Sequence, residues 1–155
     1  MPVHAPAPFP AARLRRMRRT HALRDLVAEH AVTAADLIWP VFIREGTGVE
    51  EPVPSMPGVS RLSLDVMLRK AAEAHEAGVG AICLFPYTAP DLRTEDCAEA
   101  WNPENLTNRA IRLLKAEWPG MAVMTDIALD AYNIDGHDGF VVDGQILNDE
   151  TVEAL

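Results

Sequence analysis

Three short apolar runs, separated by segments with helical periodicity, constrain the fold of this chain more than any other feature. The runs cover residues 37–43, 81–85 and 121–127. Each is rich in the aliphatic, β-branched and aromatic side chains that are typical of buried strands. Between them, Ser63 is predicted to cap a helix that ends at Gly78, and Asn102 a helix that closes at Trp118. The order strand, helix, strand, helix, strand predicts an α/β protein with parallel strands and right-handed crossovers.

The flanking segments indicate that this sheet is part of something larger. Residues 44–60 are predicted to form a long loop, and Pro40 favours an edge or bulged position for the first strand. Asp143-Gly144 between two β-like runs predicts a hairpin, after which a helix begins near Asn148 and has barely one turn at Leu155. Three parallel strands leave two unpaired edges, so we expect a truncated part of a larger domain.

The charge of the chain is divided sharply along its length. The net charge is −9, yet six arginines precede the first acidic residue, Asp25; all 23 acidic residues and the other eight of the 14 basic ones follow. We therefore expect an N-terminal arm at 1–34 that contacts the acidic body, 35–155, or a neighbouring subunit. Nucleic acid is a weaker alternative, because Phe9 is the only aromatic side chain among residues 1–34.

Cysteine spacing and hydropathy bear on the cellular compartment. Cys83 and Cys97 form neither a CxxC pair nor a zinc spacing, so we expect two free thiols in a reducing cytosol. No apolar run approaches the length of a membrane span, and no apolar segment follows the N-terminal arginines. These features predict a cytoplasmic protein that binds neither membranes nor nucleic acid.

The segment 121–139 carries the side chains with the clearest chemical potential. Asp126 falls at the predicted end of the third strand, and Asp130, His137 and Asp138 follow in a loop with turn glycines. A carboxylate at the carboxyl end of a buried strand is typical of α/β enzymes. A solvated acidic loop accounts for the same pattern. A lone His137 is more often a hydrogen-bonded loop residue than a metal ligand.

A calcium loop of the EF-hand type does not fit this segment. If Gly136 is the sixth residue of such a loop, the first and twelfth residues are Ala131 and Val142. Both positions require oxygen donors. The match therefore fails where the ion needs most charge.

Five pieces of sequence, in order, carry a resemblance to a known family. They are R-L-R-R-M-R-R, D-L-I-W-P-V-F-I-R-E-G, S-M-P-G-V-S-R-L-S, I-C-L-F-P and T-D-I-A-L-D-A-Y-N-I-D-G-H-D-G. Together with the closing L-N-D-E-T-V-E-A-L, they resemble the 5-aminolevulinate dehydratase (porphobilinogen synthase) family over nearly the whole chain. The resemblance implies a partial (β/α)₈ TIM barrel, its first three strands, with an N-terminal arm that wraps a neighbouring subunit in a homo-oligomer.

The family's activity is implied as well. Its members condense two molecules of 5-aminolevulinate to porphobilinogen, for haem and other tetrapyrroles, through Schiff bases on two lysines and without an organic cofactor. This chain has only Lys70 and Lys115, both on predicted helices. The resemblance therefore implies that the catalytic lysines lie outside this chain, which alone is predicted to be inactive. It also implies that Asp126 is an active-site carboxylate near a substrate amino group.

The resemblance also implies a choice of metal ion. Some members hold zinc with three cysteines, and the matching positions here are Ala128, Asp130 and Asp138. No zinc–cysteine site is therefore expected, and two carboxylates suit magnesium or potassium instead. A small acidic metal-binding or interaction module is the alternative function. A phosphate-handling barrel would need a glycine-rich loop after a strand, and none is present.

Overall fold

The computed structural model describes residues 7–155, and the chain divides into two compact units, Met1–Thr33 and Ala34–Leu155. In the first unit, a 3₁₀ turn at Arg16–Arg18 precedes helix α1, His21–Leu26. The Thr20 hydroxyl caps α1 by accepting the Leu23 amide at 3.2 Å. Neither element buries a side chain, so packing does not extend the helix beyond Leu26. Residues 1–6 of the predicted N-terminal arm lie outside the described residues.

The second unit is built on a five-stranded sheet. Its strands are β1 Ile38–Arg44, β2 Glu50–Pro52, β3 Ser60–Leu62, β4 Ala81–Tyr87 and β5 Ala122–Thr125. They lie in the order β2-β3-β1-β4-β5, and only β2 is antiparallel to its neighbour. The three predicted strands are β1, β4 and β5, which lie side by side and parallel. The predicted α/β architecture is therefore confirmed.

The segment predicted as a long loop, 44–60, is partly a strand pair, which corrects the prediction. Strand β3 pairs with β1 only at Phe42 and Ile43, and β2 folds back on β3. Three-residue strands are too short to give a clear alternating pattern, so they cannot be predicted from the sequence. Pro40 precedes the part of β1 that β3 reaches, so at Pro40 the strand has a neighbour, β4, on one side only, as proline favours.

The core lies between one face of this sheet and two helices, α2 Leu64–Glu76 and α3 Leu106–Glu117. It is filled from both sides by side chains of low exposure: Val41, Ile43, Leu62, Val66, Met67, Ala71, Ile82, Leu84, Leu106, Ala110, Leu114 and Met121. The alternation along β1 and β4 sends every second side chain to this core. The opposite face carries Phe42 and Phe85, whose ring centroids are 5.7 Å apart.

Helix starts differ in detail from the prediction. Helix α3 begins after Asn105, whose side-chain oxygen accepts the Asn108 amide at 2.8 Å, whereas Asn102 caps a turn by accepting the Glu104 amide. On α3, Leu106, Ala110 and Leu114 are buried, whereas Leu113 is 40% exposed. Ser63 precedes α2 as predicted, but its hydroxyl donates to Asp65 and accepts the Val49 amide at 2.9 Å instead of capping the helix.

The predicted hairpin is confirmed as β6 Phe140–Val142 and β7 Gln145–Leu147. Its two turn residues, Asp143 and Gly144, have φ values of 50° and 74°, as a type I′ turn requires. Helix α4, Asn148–Ala154, follows directly. Among residues 7–155, none of the helices combines the length and the apolar character that crossing a membrane requires.

Candidate active site

Asp126 lies at the carboxyl edge of the parallel strands, as predicted. Thr125 is paired with Leu84 in the register of β5 on β4, so Asp126 follows beside Phe85. Asp126 lines a cleft of about 250 Å³ together with Phe42, Phe85, Asp130 and Tyr132. The cleft thus combines an aromatic floor with two carboxylates, which is suited to a small substrate with a cationic group.

The thiol of Cys83 reports the charge of Asp126. Cys83 stands two residues before Phe85 and on the same face of the sheet. Burial raises the pKa of this thiol, and the negative charge of Asp126 raises it further.

The two predicted metal ligands lie next to one another. The Asp130 amide donates a 3.4 Å hydrogen bond to Oδ1 of Asp138, and both side chains are exposed. His137 accepts the Gly139 amide at Nδ1, as expected of a hydrogen-bonded loop histidine. No group of three metal-ligating side chains occurs among residues 7–155. Two exposed carboxylates fit an ion that retains most of its water, such as Mg²⁺, better than an ion that needs a full set of protein ligands.

Neither lysine of the chain reaches the cleft. Lys70 Nζ binds Glu50 Oε1 at 2.5 Å, and Lys115 Nζ donates to the Met121 carbonyl at 2.6 Å. Both lysines lie on helices, as predicted, and neither lines the cleft. A Schiff base requires an amine at the substrate, so these two lysines are in the wrong place for that chemistry.

A second cluster of buried side chains adjoins the cleft, and the sequence does not predict it. Cys97, Leu129 and Tyr132 are buried together, which joins the loop after β4 to the loop after β5. Thr94 forms a bridge to Asn133 between the same two loops. Burial raises the pKa of Tyr132, whose hydroxyl lies 3.3 Å from that of Thr107. Side chains that meet between two loops do not recur at the regular spacing that marks a helix or a strand. No pattern in the sequence therefore predicts this cluster.

The comparisons with known proteins follow the same segment of chain. The model of the family described as "Delta-aminolevulinic acid dehydratase" matches residues 11–155. The chain belongs to this family. A delta-aminolevulinic acid dehydratase of Rhodobacter capsulatus is 52% identical over 148 residues, covering 96% of this chain and 45% of the relative. A chloroplastic delta-aminolevulinic acid dehydratase of Chlamydomonas reinhardtii is 44% identical over 156 residues, covering 99% of this chain and 40% of the relative.

A solved structure agrees with the fold of this dehydratase family member. The crystal structure of delta-aminolevulinic acid dehydratase (porphobilinogen synthase) from Toxoplasma gondii ME49, in complex with the reaction product porphobilinogen, superimposes with a TM-score of 0.86 at 41% identity. The match covers 92% of this chain and 41% of that one. The chain spans less than half the length of the relatives it matches. Its parallel sheet matches the fold of this neighbour, so it is part of a TIM barrel.

Proposed function

We propose that this chain forms the first part of a 5-aminolevulinate dehydratase, the enzyme that condenses two 5-aminolevulinate molecules to porphobilinogen in tetrapyrrole and haem biosynthesis. The observation that carries the proposal is the position of Asp126 at the carboxyl edge of β1, β4 and β5. Active sites of TIM barrels lie at that edge. The family match over residues 11–155 and the product-bound relative name the reaction.

Asp126 is the residue of this chain proposed to act on substrate. The substrate carries a primary amine, which is cationic in water, and a carboxylate beside an aromatic floor can hold such a group. When that amine reacts, the carboxylate can accept or return its proton. The Schiff-base lysines are assigned to the rest of a full-length enzyme, so the 155-residue chain alone is proposed to be inactive.

The decisive experiment joins this chain to the remaining part of the Rhodobacter capsulatus relative. The chimera is expected to form porphobilinogen from 5-aminolevulinate, and the isolated chain is expected to form none. Porphobilinogen formed by the isolated chain would contradict the assignment of the lysines. A folded, oligomeric chimera without activity would contradict the proposed function.

A matched pair of substitutions tests the role of Asp126 in the same chimera. Asp126→Asn removes the charge and keeps the shape, so kcat is expected to fall about 100-fold or more. Asp143→Asn is the control, because Asp143 lies in the hairpin turn at a positive φ that asparagine also tolerates. Equal activity of the two variants would exclude Asp126 from the reaction.

For the metal, Asp130 and Asp138 are proposed to hold Mg²⁺ or another hard cation through oxygen atoms. When bound, the ion would add positive charge beside the cleft. The double variant Asp130→Asn, Asp138→Asn is expected to lose any stimulation of the chimera by Mg²⁺. A strong zinc chelator is expected to leave the parent chimera active, and a large loss of activity would argue for zinc instead.

The arm and the compartment complete the proposal. Phe9, Leu14 and Leu26 are each more than three-quarters exposed among the arm's arginines, and such a surface suits contact with a neighbouring subunit in a homo-oligomer. Deleting residues 1–24 from the chimera is expected to reduce its oligomer size, as measured by light scattering, and an unchanged size would contradict the role of the arm.

The enzyme is proposed to be cytoplasmic, although the Chlamydomonas reinhardtii relative is chloroplastic.

A further inference from the structure

A buried thiol and a buried amide join the two loops that meet below the cleft. Cys97, in the loop after β4, and Asn133, in the loop after β5, are 0% and 1% exposed. The Asn133 side chain donates from Nδ2 to Cys97 Sγ at 3.5 Å, and Sγ lies 3.9 Å from the Leu129 carbonyl. Cys97 directly precedes a 3₁₀ turn at Ala98–Trp101. The loop after β4 and the loop after β5 are thus held together by a buried side-chain pair.

The orientation of both groups is fully determined. Burial raises the pKa of the Cys97 thiol, so the sulfur keeps its proton and donates it to the Leu129 carbonyl. The Asn133 amide must turn its nitrogen to the sulfur, because its oxygen accepts the Asp135 amide at 2.7 Å. Both hydrogen bonds therefore require one atom at position 97 that donates to the Leu129 carbonyl and accepts from Asn133.

The bonds of this pair converge on the turn that supports the carboxylates. The Leu129 carbonyl also accepts the backbone amides of Tyr132 and Asn133, each at 2.9 Å. Leu129 directly precedes Asp130, and Tyr132 lines the cleft beside Asp126. A shift of the 129–133 turn would therefore move the wall of the cleft and the neighbouring carboxylates together.

We propose that Cys97 and Asn133 are positioning residues, which lock the 129–133 turn and so set the places of Asp126 and Asp130 in the cleft. Neither side chain lines the cleft, so both act through the residues they hold. The effect on catalysis rests on the proposed function, whereas the effect on the turn does not.

The first test uses the isolated chain and amide hydrogen exchange. Cys97→Gly deletes the thiol while suiting the positive φ of 53° at this position, so it separates the loss of the bond from backbone strain. The amides of Tyr132, Asn133 and Ile134 are expected to exchange about ten-fold faster or more, with sheet amides unchanged. Cys97→Ser keeps a donor and an acceptor on one atom and is expected to retain most of the protection. Parent-like exchange in Cys97→Gly would overturn the proposal.

The second test measures kcat and KM in the chimera. Cys97→Gly and Asn133→Ala are each expected to lower kcat about ten-fold, more than they change KM, because misplaced groups act on the reacting geometry. Cys97→Ser is expected to recover kcat to within about three-fold of the parent. Val66→Ala, which opens a cavity in the main core, is the control and is expected to lower stability without lowering kcat.

The outcomes separate this inference from the proposed function. An inactive parent chimera would contradict the proposed function. The amide exchange measurement would then be the test of whether Cys97 and Asn133 hold the 129–133 turn in place. An active parent with unchanged kcat in Cys97→Gly would overturn the positioning role. An equal loss of kcat in Val66→Ala would also overturn it, because the effect would then be one of general stability.

Discussion

Ile82→Ala is expected to be among the most damaging substitutions of the sheet. Ile82 lies in the middle of β4, 1% exposed, with Trp39 and Val123 as its neighbours on the two adjacent strands. The change removes three carbon atoms, which are worth about 2.4 kcal/mol at about 0.8 kcal/mol each. Helices on one side and strands on the other leave little room to close the cavity, which adds about 1 kcal/mol. The expected loss in the free energy of unfolding is therefore about 3–4 kcal/mol.

Urea unfolding of the 155-residue chain, followed by tryptophan fluorescence, measures this loss, because Trp39 and Trp118 pack against the same core. In thermal unfolding the melting temperature should fall by about 7–14 °C. Ile146→Ala is the matched control: Ile146 is 53% exposed in the hairpin, so its loss should stay below about 1 kcal/mol. A loss below about 1.5 kcal/mol for Ile82→Ala, or equal losses in both variants, would refute the packing argument.

Three further predictions concern groups that the structure places in defined surroundings. Hydrogen bonds from the Ser63 hydroxyl, which has the larger effect, and from the Gly48 amide hold the pKa of Asp65 below its ordinary value. The Asp65 carboxylate therefore stabilises the fold above about pH 4, and this stabilisation is lost as pH falls through the lowered pKa. The urea midpoints of the parent and of Asp65→Asn should converge at low pH, and a constant difference between them would contradict this. Gly144→Ala should destabilise the hairpin by about 1 kcal/mol through its positive φ alone, since no atom lies within 4 Å of the added carbon; unchanged exchange of the Val142 and Gln145 amides, which are paired across the turn, would contradict it. Alkylation of Cys83 should require a higher pH than alkylation of a free thiol, because burial and the charge of Asp126 raise the pKa of Cys83. Asp126→Asn should shift the pH profile of Cys83 alkylation to lower pH, and an unshifted profile would contradict an effect of Asp126 on this thiol.

The parts of the fold with a repeating pattern could be predicted from the sequence. The strands around 37–43, 81–85 and 121–127 and the two intervening helices follow from hydrophobic period, since burial of one face selects those side chains. The hairpin at Asp143-Gly144 follows from turn chemistry. The sequence predicts the start of α3 three residues too early, because Asn102 and Asn105 are equally good caps and only the packing of Leu106 and Ala110 decides between them.

The candidate site divides in the same way. Asp126 could be located because a carboxylate that ends an apolar run marks the edge of a sheet. The short strands β2 and β3 could not, since three residues carry too little pattern to be read. The contact between Cys97 and Asn133 spans 36 positions and joins two irregular segments, so nothing local in either segment indicates the other.

The amino-acid sequence by itself determined the alternation of parallel strands and helices, the charge division between arm and body, and the acidic loop after the third strand. These properties depend on residue type and spacing along the chain, which the sequence contains directly. Only the tertiary structure decided which loops meet beneath the cleft and which carboxylates share it. Those contacts arise when distant segments pack to bury their apolar and polar groups together, and their energy depends on shape in three dimensions.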